Sequence, residues 1–450
     1  MIEKDWLKAH AQMVRTADYI DPAFYTKYGV KRGLRNEDGT GVLVGLTTIG
    51  NVHGYVMSEG EKLAIEGELY YRGINVRDIV AADRRERRFG YEEAAYLLLF
   101  GELPTESELS SWKTRLGRCR KLSDEFKDNA IFHSPSKDIM NAIARAVLFA
   151  YAFDETGNPD DLALERCLNQ SVEIIGALPT IAAYAYQAKA HYHLGRSLMI
   201  RNPDPKKSTA ENILSLIRED GRYTKLEAET LDLALILHAE HGGGNNSSFV
   251  THVVTSSFTD IYSSLAASVL SLKGSRHGGA NLRVMRQMDE IKRNVKDWRN
   301  PNQVVNYLEK IADKRAGDKS GLIYGLGHAV YTLSDPRAQL LQRKARELAR
   351  EKDRMDEMRL FETVEARGPA VIKSRHPRAE DVCANVDLYS GFVYEMLGIP
   401  RDLYTPLFAV ARCVSWCAHR MEELINQGPI IRPAYKPIYR PKKYVNLKDR

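Results

Sequence analysis

The chain has 450 residues, more than one core usually supports, so two or three domains are expected. It is 44% apolar and 28% charged, as in an ordinary soluble globular protein, and its formal net charge of +6 is scattered among acids, which argues against a nucleic-acid binder. Five cysteines without a CxxC pair argue against a disulfide framework and for a reducing compartment. MIEKDWLKAH has no apolar signal core, and no run reaches the roughly 18 apolar residues of a membrane helix. A cytoplasmic protein without a membrane span is expected.

After an N-terminal helix, residues 38–73 carry β-branched pieces separated by glycines, with Ser58-Glu59-Gly60 as a turn signal; this predicts a small hairpin system. Almost everything beyond has helical period. YEEAAYLLLF predicts a helix closed by Gly101, and Thr105 with Glu108 has capping-box spacing for the next. Residues 137–153 and 173–192 are rich in alanine and other helix formers, and 201–210 reads as a polar linker. LEAETLDLALILHAEH predicts a helix that stops at Gly242-Gly243-Gly244. The Ser/Ala-rich stretch after Ser256 predicts a closely packed, buried helix. The chain turns charged and amphipathic near residue 285, and apolar density returns with LYSGFVYEMLGIP and LYTPLFAVARCVSWCAHRMEEL. The basic stretch 366–383 reads as a solvated loop. The fold class expected is mainly α with a small N-terminal β-hairpin region. Residues 1–284 plus 400–450 would form a large helical domain and 285–399 a smaller, more solvated one.

Three segments place histidine beside glycine or small residues: LHAEHGGGNNS with His238 and His241, SRHGGAN with His277, and GLGHAVYTLSDPR with His328. A fourth, CANVDLYSGF, sets Asp387 among apolar neighbours. Taken singly, each histidine could be a surface or a satisfied core residue, and Asp387 could cap the helix that follows it. Arg337 could be a surface ion-pair partner. Arg412 lies on an apolar helix pattern and needs an anionic partner, from the protein or from a ligand, because an unpaired buried charge is costly. Glycines at a helix start allow close approach of a ligand to the backbone. The positive end of the helix favours a neutral imidazole, which can donate to a developing enolate oxygen. A carboxylate base such as Asp387 would complete proton abstraction beside a carbonyl. A metal reading is weak, since HAEH lacks the four-residue spacing of HExxH, and neither phosphate-loop pattern is present.

Taken in order, RGLRNEDGTGVLVGLT, YYRGINV, LHAEHGGGNNSSFVTHVV, GSRHGGAN, GLGHAVYTLSDPR, NVDLYSGFVYEMLGIP, LFAVAR and IRP resemble the citrate synthase family over most of the chain. The resemblance implies that His277 holds the enol oxygen of acetyl-CoA, that His328 donates to the oxaloacetate carbonyl, and that Asp387 is the base. It implies His241, Arg337 and Arg412 as oxaloacetate ligands and Phe408 beside the reacting methyl group. It also implies a homodimer in which Arg432 reaches the partner subunit's site. Gly325, Leu326 and Gly327 are the coenzyme A contacts it suggests; Thr332 stands where many members carry a basic residue, and Arg276 is the replacement this chain offers for the phosphates. No metal or redox cofactor is implied, coenzyme A entering as part of the substrate. The smaller domain would close over the substrates. Two alternatives stand beside citrate synthesis. One is the same condensation with propionyl-CoA, giving 2-methylcitrate. The other is a catalytically silent helical binding protein, disfavoured because His277, His328, Asp387 and the arginines are all present.

Overall fold

The computed structural model describes residues 4–36, 39–58, 61–154, 158–377 and 381–450. They fall into two units, Met1–Leu46 and Thr47–Arg450. The first holds the helices Lys4–Ala17 and Ala23–Lys27 and a 3-10 turn, Arg32–Leu34, and its side chains are largely exposed. The second contains the one sheet found among the described residues and the remaining helices. The chain is 60% helical, as the sequence predicts.

The hairpin expected over 38–73 is present from residue 50 onward. Strands β1 (Gly50–Ser58), β2 (Glu61–Tyr71) and β3 (Ile74–Asn75) form an antiparallel sheet in the order β1-β2-β3. Residues 59 and 60 of the expected turn lie outside the described residues. The sheet braces two parts of the site. The buried Tyr71 hydroxyl donates to the Ile236 carbonyl at 2.6 Å. Gly67 donates its N–H to Ser334 Oγ at 3.1 Å, and a Cβ at Gly67 would collide with the Ser334 carbonyl.

Local signals set most helix ends. Tyr91–Phe100 stops at Gly101, whose φ of 94° only glycine adopts readily. Glu106–Cys119 opens on the capping box of Thr105 and Glu108. The small residues beyond Ser256 allow close packing, with Thr251 and Ser268 hydroxyls 2.7 Å apart and Thr255 and Ser264 3.1 Å apart. The Tyr404–Asn426 helix is buried at every position through Arg420. It packs against the helices Tyr91–Phe100, Leu164–Leu194, Lys225–His238, Asn246–Thr255 and Ile261–Lys273. That position at the centre of the core explains why Arg412 lies inside.

Two expectations are corrected. The Lys225–His238 helix ends before the glycines. Its last carbonyls are taken from outside, Ile236 by Tyr71 and His238 by Arg412 Nε at 3.1 Å, which frees Glu240 and His241 to turn away from the helix. Residues 366–375 are the end of the helix Met355–Arg375, not a loop. Pro369 removes one backbone donor, but Phe361, Val364, Gly368 and Val371 bury a continuous face, which holds the helix together. No described helix is long and apolar enough to cross a membrane.

Candidate active site

His277 lies in the turn between the helices Ile261–Lys273 and Ala280–Asn294. Gly278 makes that turn possible: a Cβ there would strike the Leu272 carbonyl, and the Gly278 carbonyl accepts from Thr405 Oγ1 at 2.7 Å. The His277 Nε2 faces the Ser247 backbone N–H at 3.3 Å. That N–H can only donate, so Nε2 accepts and the ring proton sits on Nδ1. Ser247 is held by the Trp416 indole N–H, which donates to its hydroxyl at 3.2 Å. Burial, then the Arg412 charge, pushes the His277 pKa down to about 4, so the ring is neutral at physiological pH.

His328 is set by the opposite nitrogen. Its Nδ1 accepts from the N–H groups of Val330 at 3.1 Å and Tyr331 at 3.2 Å, which puts the proton on Nε2. The ring stacks on Tyr331 at 4.8 Å and meets His241 edge-on at 5.0 Å. His241 is buried, and its Nε2 has no hydrogen-bond partner. Burial, then Arg337 and His328, drives its pKa well below the ordinary value.

Asp387 stands in the first turn of the helix Val386–Met396 but does not cap it. The cap is Asn385, whose Oδ1 accepts the Asp387 N–H at 3.0 Å. The Asp387 carboxyl is therefore not consumed by its own helix. Burial, and to a lesser degree the Asp335 charge, outweighs Arg337 and Arg412 and raises its pKa to about 6. The loops carrying His328 and Asp387 are tied by backbone. Gly327 N–H donates to the Cys383 carbonyl at 2.8 Å, Asn385 N–H to the Gly325 carbonyl at 2.9 Å, and Asn385 Nδ2 to the Gly327 carbonyl at 2.8 Å. Gly325, at φ 90°, has no room for a Cβ against Leu388.

Both arginines are buried. Arg337 follows the cap of the helix Pro336–Glu351 and clasps Asp335 through Nε at 3.0 Å and Nη2 at 2.7 Å. That pairing outweighs burial and raises its pKa, while Nη1 has no hydrogen-bond partner among the described residues. Arg412 uses Nε for the His238 carbonyl; neither terminal nitrogen has a hydrogen-bond or ion-pair partner among the described residues. Burial lowers its pKa to about 10, which leaves it charged at neutral pH. The Arg412 charge acts on His238, His241, His277 and Asp387 alike, which marks them as one cluster. Phe408 stacks on His238 at 3.5 Å.

Two expected residues, Arg432 and Arg276, stand apart, as does Thr332, which departs from the family pattern. Arg432 is exposed on the extended C-terminal segment beyond the helix Tyr404–Asn426, where the neighbouring Ile431 N–H donates to Ser256 Oγ at 3.1 Å. Arg276 is exposed, and Thr332 is buried with its hydroxyl unpartnered. Sequence reading did not single out Ser247, Asn385 or Tyr331, which orient the chemical groups. Nor did it find that Glu240 is buried against His419 at 3.2 Å.

The family model for the citrate synthase C-terminal domain matches residues 38–434. The chain belongs to the citrate synthase family. It is 32% identical to a citrate synthase of Haloferax volcanii over 387 residues, covering 85% of this chain and 93% of the relative. It is 30% identical to 2-methylcitrate synthase 2 of Corynebacterium glutamicum over 371 residues, covering 81% and 87%. Among solved structures, it superposes on the Thermoplasma acidophilum citrate synthase, a ternary complex with carboxymethyl coenzyme A and oxaloacetate, with a TM-score of 0.75 and 28% identity, covering 94% and 99%. Membership of the citrate synthase family accounts for a mainly α chain with one small sheet.

Proposed function

We propose that the protein is a citrate synthase, an acyltransferase that condenses acetyl-CoA with oxaloacetate and hydrolyses citryl-CoA to citrate and coenzyme A. The observation that carries this reading is the buried Arg412 guanidinium, whose terminal nitrogens have no partner among the described residues, with the Nη1 edge of Arg337, beside two neutral histidines whose tautomers are set by backbone N–H groups. Arg412 is buried without an anion and calls for one, Arg337 keeps one edge open beside its pairing with Asp335, and a four-carbon dicarboxylate supplies a carboxylate to each.

In this reading Arg337, Arg412 and His241 hold oxaloacetate. Asp387 removes a proton from the acetyl methyl group while His277 Nδ1–H stabilises the enol oxygen. The methyl carbon then attacks the oxaloacetate carbonyl carbon, and His328 Nε2–H donates to the oxygen that becomes the alkoxide and then the hydroxyl. Water afterwards cleaves the thioester and releases coenzyme A. A neutral imidazole donor and a partly desolvated carboxylate base suit enolisation at neutral pH. The chemistry needs only proton transfers and carboxylate binding, so neither a metal nor a redox cofactor has a role.

Further parts of the reading rest on the family resemblance. Residues 285–399 close as a small domain over the substrates, with 1–284 plus 400–450 as the large one. Arg432 completes the site of the partner subunit in a homodimer, which its exposure on an extended arm supports. Coenzyme A runs past Gly325, Leu326 and Gly327, with Arg276 near its phosphates. Five free thiols support a cytoplasmic setting. The propionyl-CoA reaction is the second reading, favoured by the 2-methylcitrate synthase relative. One methylene in the acyl pocket beside Phe408 is worth about 1–3 kcal/mol.

Thiol release from acetyl-CoA and propionyl-CoA, each with and without oxaloacetate and in EDTA, tests this. Oxaloacetate-dependent release faster with acetyl-CoA is expected. A faster propionyl-CoA rate reassigns the product to 2-methylcitrate, and no release by folded dimer defeats the synthase.

A further inference from the structure

Behind the substrate cluster lies a second chain of titratable groups that the reaction does not use. Glu240, buried one residue before His241, accepts the Gly242 N–H with Oε1 and faces His419 Nε2 with Oε2 at 3.2 Å. His419 Nδ1 lies 3.1 Å from His252 Nε2, and His252 Nδ1 lies 2.8 Å from Glu423 Oε2. The proton count follows from the ends. A carboxylate at each end accepts, so His419 Nε2 and His252 Nδ1 both carry protons. The central N···N contact needs one more. Four ring nitrogens therefore hold three protons, and one of the two rings is an imidazolium.

The surroundings choose His419. Its Nδ1 side also faces Glu422 Oε2 at 3.8 Å, and Glu422 is fixed by the Thr48 N–H at 2.7 Å. Burial pushes the His419 pKa down, but Glu240 and then Glu422 outweigh it and raise it to about 9, whereas burial and the His419 charge lower that of His252. His252, His419 and Glu422 bring three metal-capable atoms within 4.8 Å, but the hydrogen bonds already engage both facing ring nitrogens.

Three cations, His419, Arg412 and Arg72, therefore act on Glu240. Against burial, the His419 and Arg412 charges both hold its pKa down, the Ser415 hydroxyl adds to this, and the Tyr71 hydroxyl is also coupled to it. Of these cations only His419 forms an ion pair with it; Arg412 makes no ion pair with any described carboxylate. We propose that His419 is a positioning residue for the substrate site: its imidazolium neutralises Glu240 from behind and so leaves the Arg412 guanidinium available to a substrate carboxylate. This rests on the reading of Arg412 as an oxaloacetate ligand. Without the His419 charge, Glu240 turns its field on Arg412 and competes with oxaloacetate.

The test is a double-mutant cycle on full-length protein at pH 7.5, with KM and kcat from thiol release and the oxaloacetate Kd from calorimetry. His419→Gln keeps a donor without the charge, and we expect it to raise KM and Kd about tenfold while kcat changes less than about threefold, the signature of lost uniform binding. His419→Gln combined with Glu240→Gln removes both charges, and its KM and Kd should return to within about threefold of the unsubstituted protein. An unchanged KM in the single variant, or a double variant worse than the single one, overturns the proposal, because a packing role gives accumulating losses. Should His419→Gln not fold, the unsubstituted protein decides: its oxaloacetate affinity should weaken as pH rises through about 9, and a flat profile overturns the proposal. Arg412 is retained in the doubly substituted protein, so absence of that step there assigns it to His419, and its persistence there overturns the assignment. Protein that binds oxaloacetate with these dependences but releases no thiol would defeat the synthase reading and leave this one standing; protein that binds no oxaloacetate defeats both.

Discussion

The two sides of the substrate cluster are held by different means. His328 and Asp387 hang on a backbone bridge between residues 325–327 and 383–385, where glycines give the close approach and no side-chain charge is involved. His241 and Arg412 are instead backed by buried charge, through Glu240, His419, His252 and Glu423. The difference teaches where each side is vulnerable. The backbone bridge is sensitive to added volume and holds no titrating group of its own, Asp387 being the one group it carries that responds to pH, whereas the charged side depends throughout on where its protons sit.

Substitutions can break that contrast. The largest effect belongs to Asp387→Asn, which keeps the shape and removes the base; kcat should fall roughly 10²–10⁴-fold while oxaloacetate binding survives, read by steady-state kinetics and calorimetry. The same variant has a stability signature. The folded pKa of about 6 exceeds the ordinary value, so the stability that goes with the protonated form is lost as pH rises through about 6. At pH 7.5 the asparagine variant should therefore melt at the same temperature or higher, and a lower melting point would count against a costly buried carboxylate.

Gly325→Ala comes next. It adds a Cβ 2.7 Å from Leu388 Cδ1 at a position with φ of 90°. We expect a loss of about 1–3 kcal/mol in denaturant unfolding, with turnover falling as the bridge shifts. An unperturbed Gly325→Ala variant would erase the distinction between the two sides.

The pH profile gives a smaller, sharper reading. With Asp387 as base, kcat/KM should rise through about pH 6 and stay level until His419 loses its proton near pH 9, and His277, neutral above about 4, should add no step near neutrality. The smallest effect is a partial rescue. Mixed dimers of Arg432→Ala and Asp387→Asn should recover part of the activity that each homodimer lacks, measured after subunit exchange. No recovery would remove Arg432 from the partner's site.

Much of the site was legible because short motifs carry it. His277 before two glycines, His328 after Gly-Leu-Gly and Asp387 after Asn-Val stand out as candidates only as an ordered set that resembles the family, and Arg412 is conspicuous as a charge on an apolar helix. Helix ends with local causes, such as Thr105 with Glu108, were legible too. What escaped depends on partners distant in sequence. Glu240 and His419 are 179 positions apart, and nothing near either announces the other. The end of the Lys225–His238 helix was misplaced because its carbonyls are satisfied by Tyr71 and Arg412, not by the glycines that follow. Residues 366–375 read as a loop because Pro369 and many basic groups mask a buried face that only packing reveals. Asp387 was ambiguous as a cap until Asn385 was seen to fill that role.

The central claim is that Asp387 and the neutral His277 work together to enolise the thioester. The direct measurement is exchange of the acetyl-CoA methyl protons with deuterated solvent, in the presence of a non-condensing four-carbon dicarboxylate. The account predicts exchange in the unsubstituted protein that Asp387→Asn abolishes and His277→Ala strongly slows. Exchange at an unchanged rate in Asp387→Asn would contradict it.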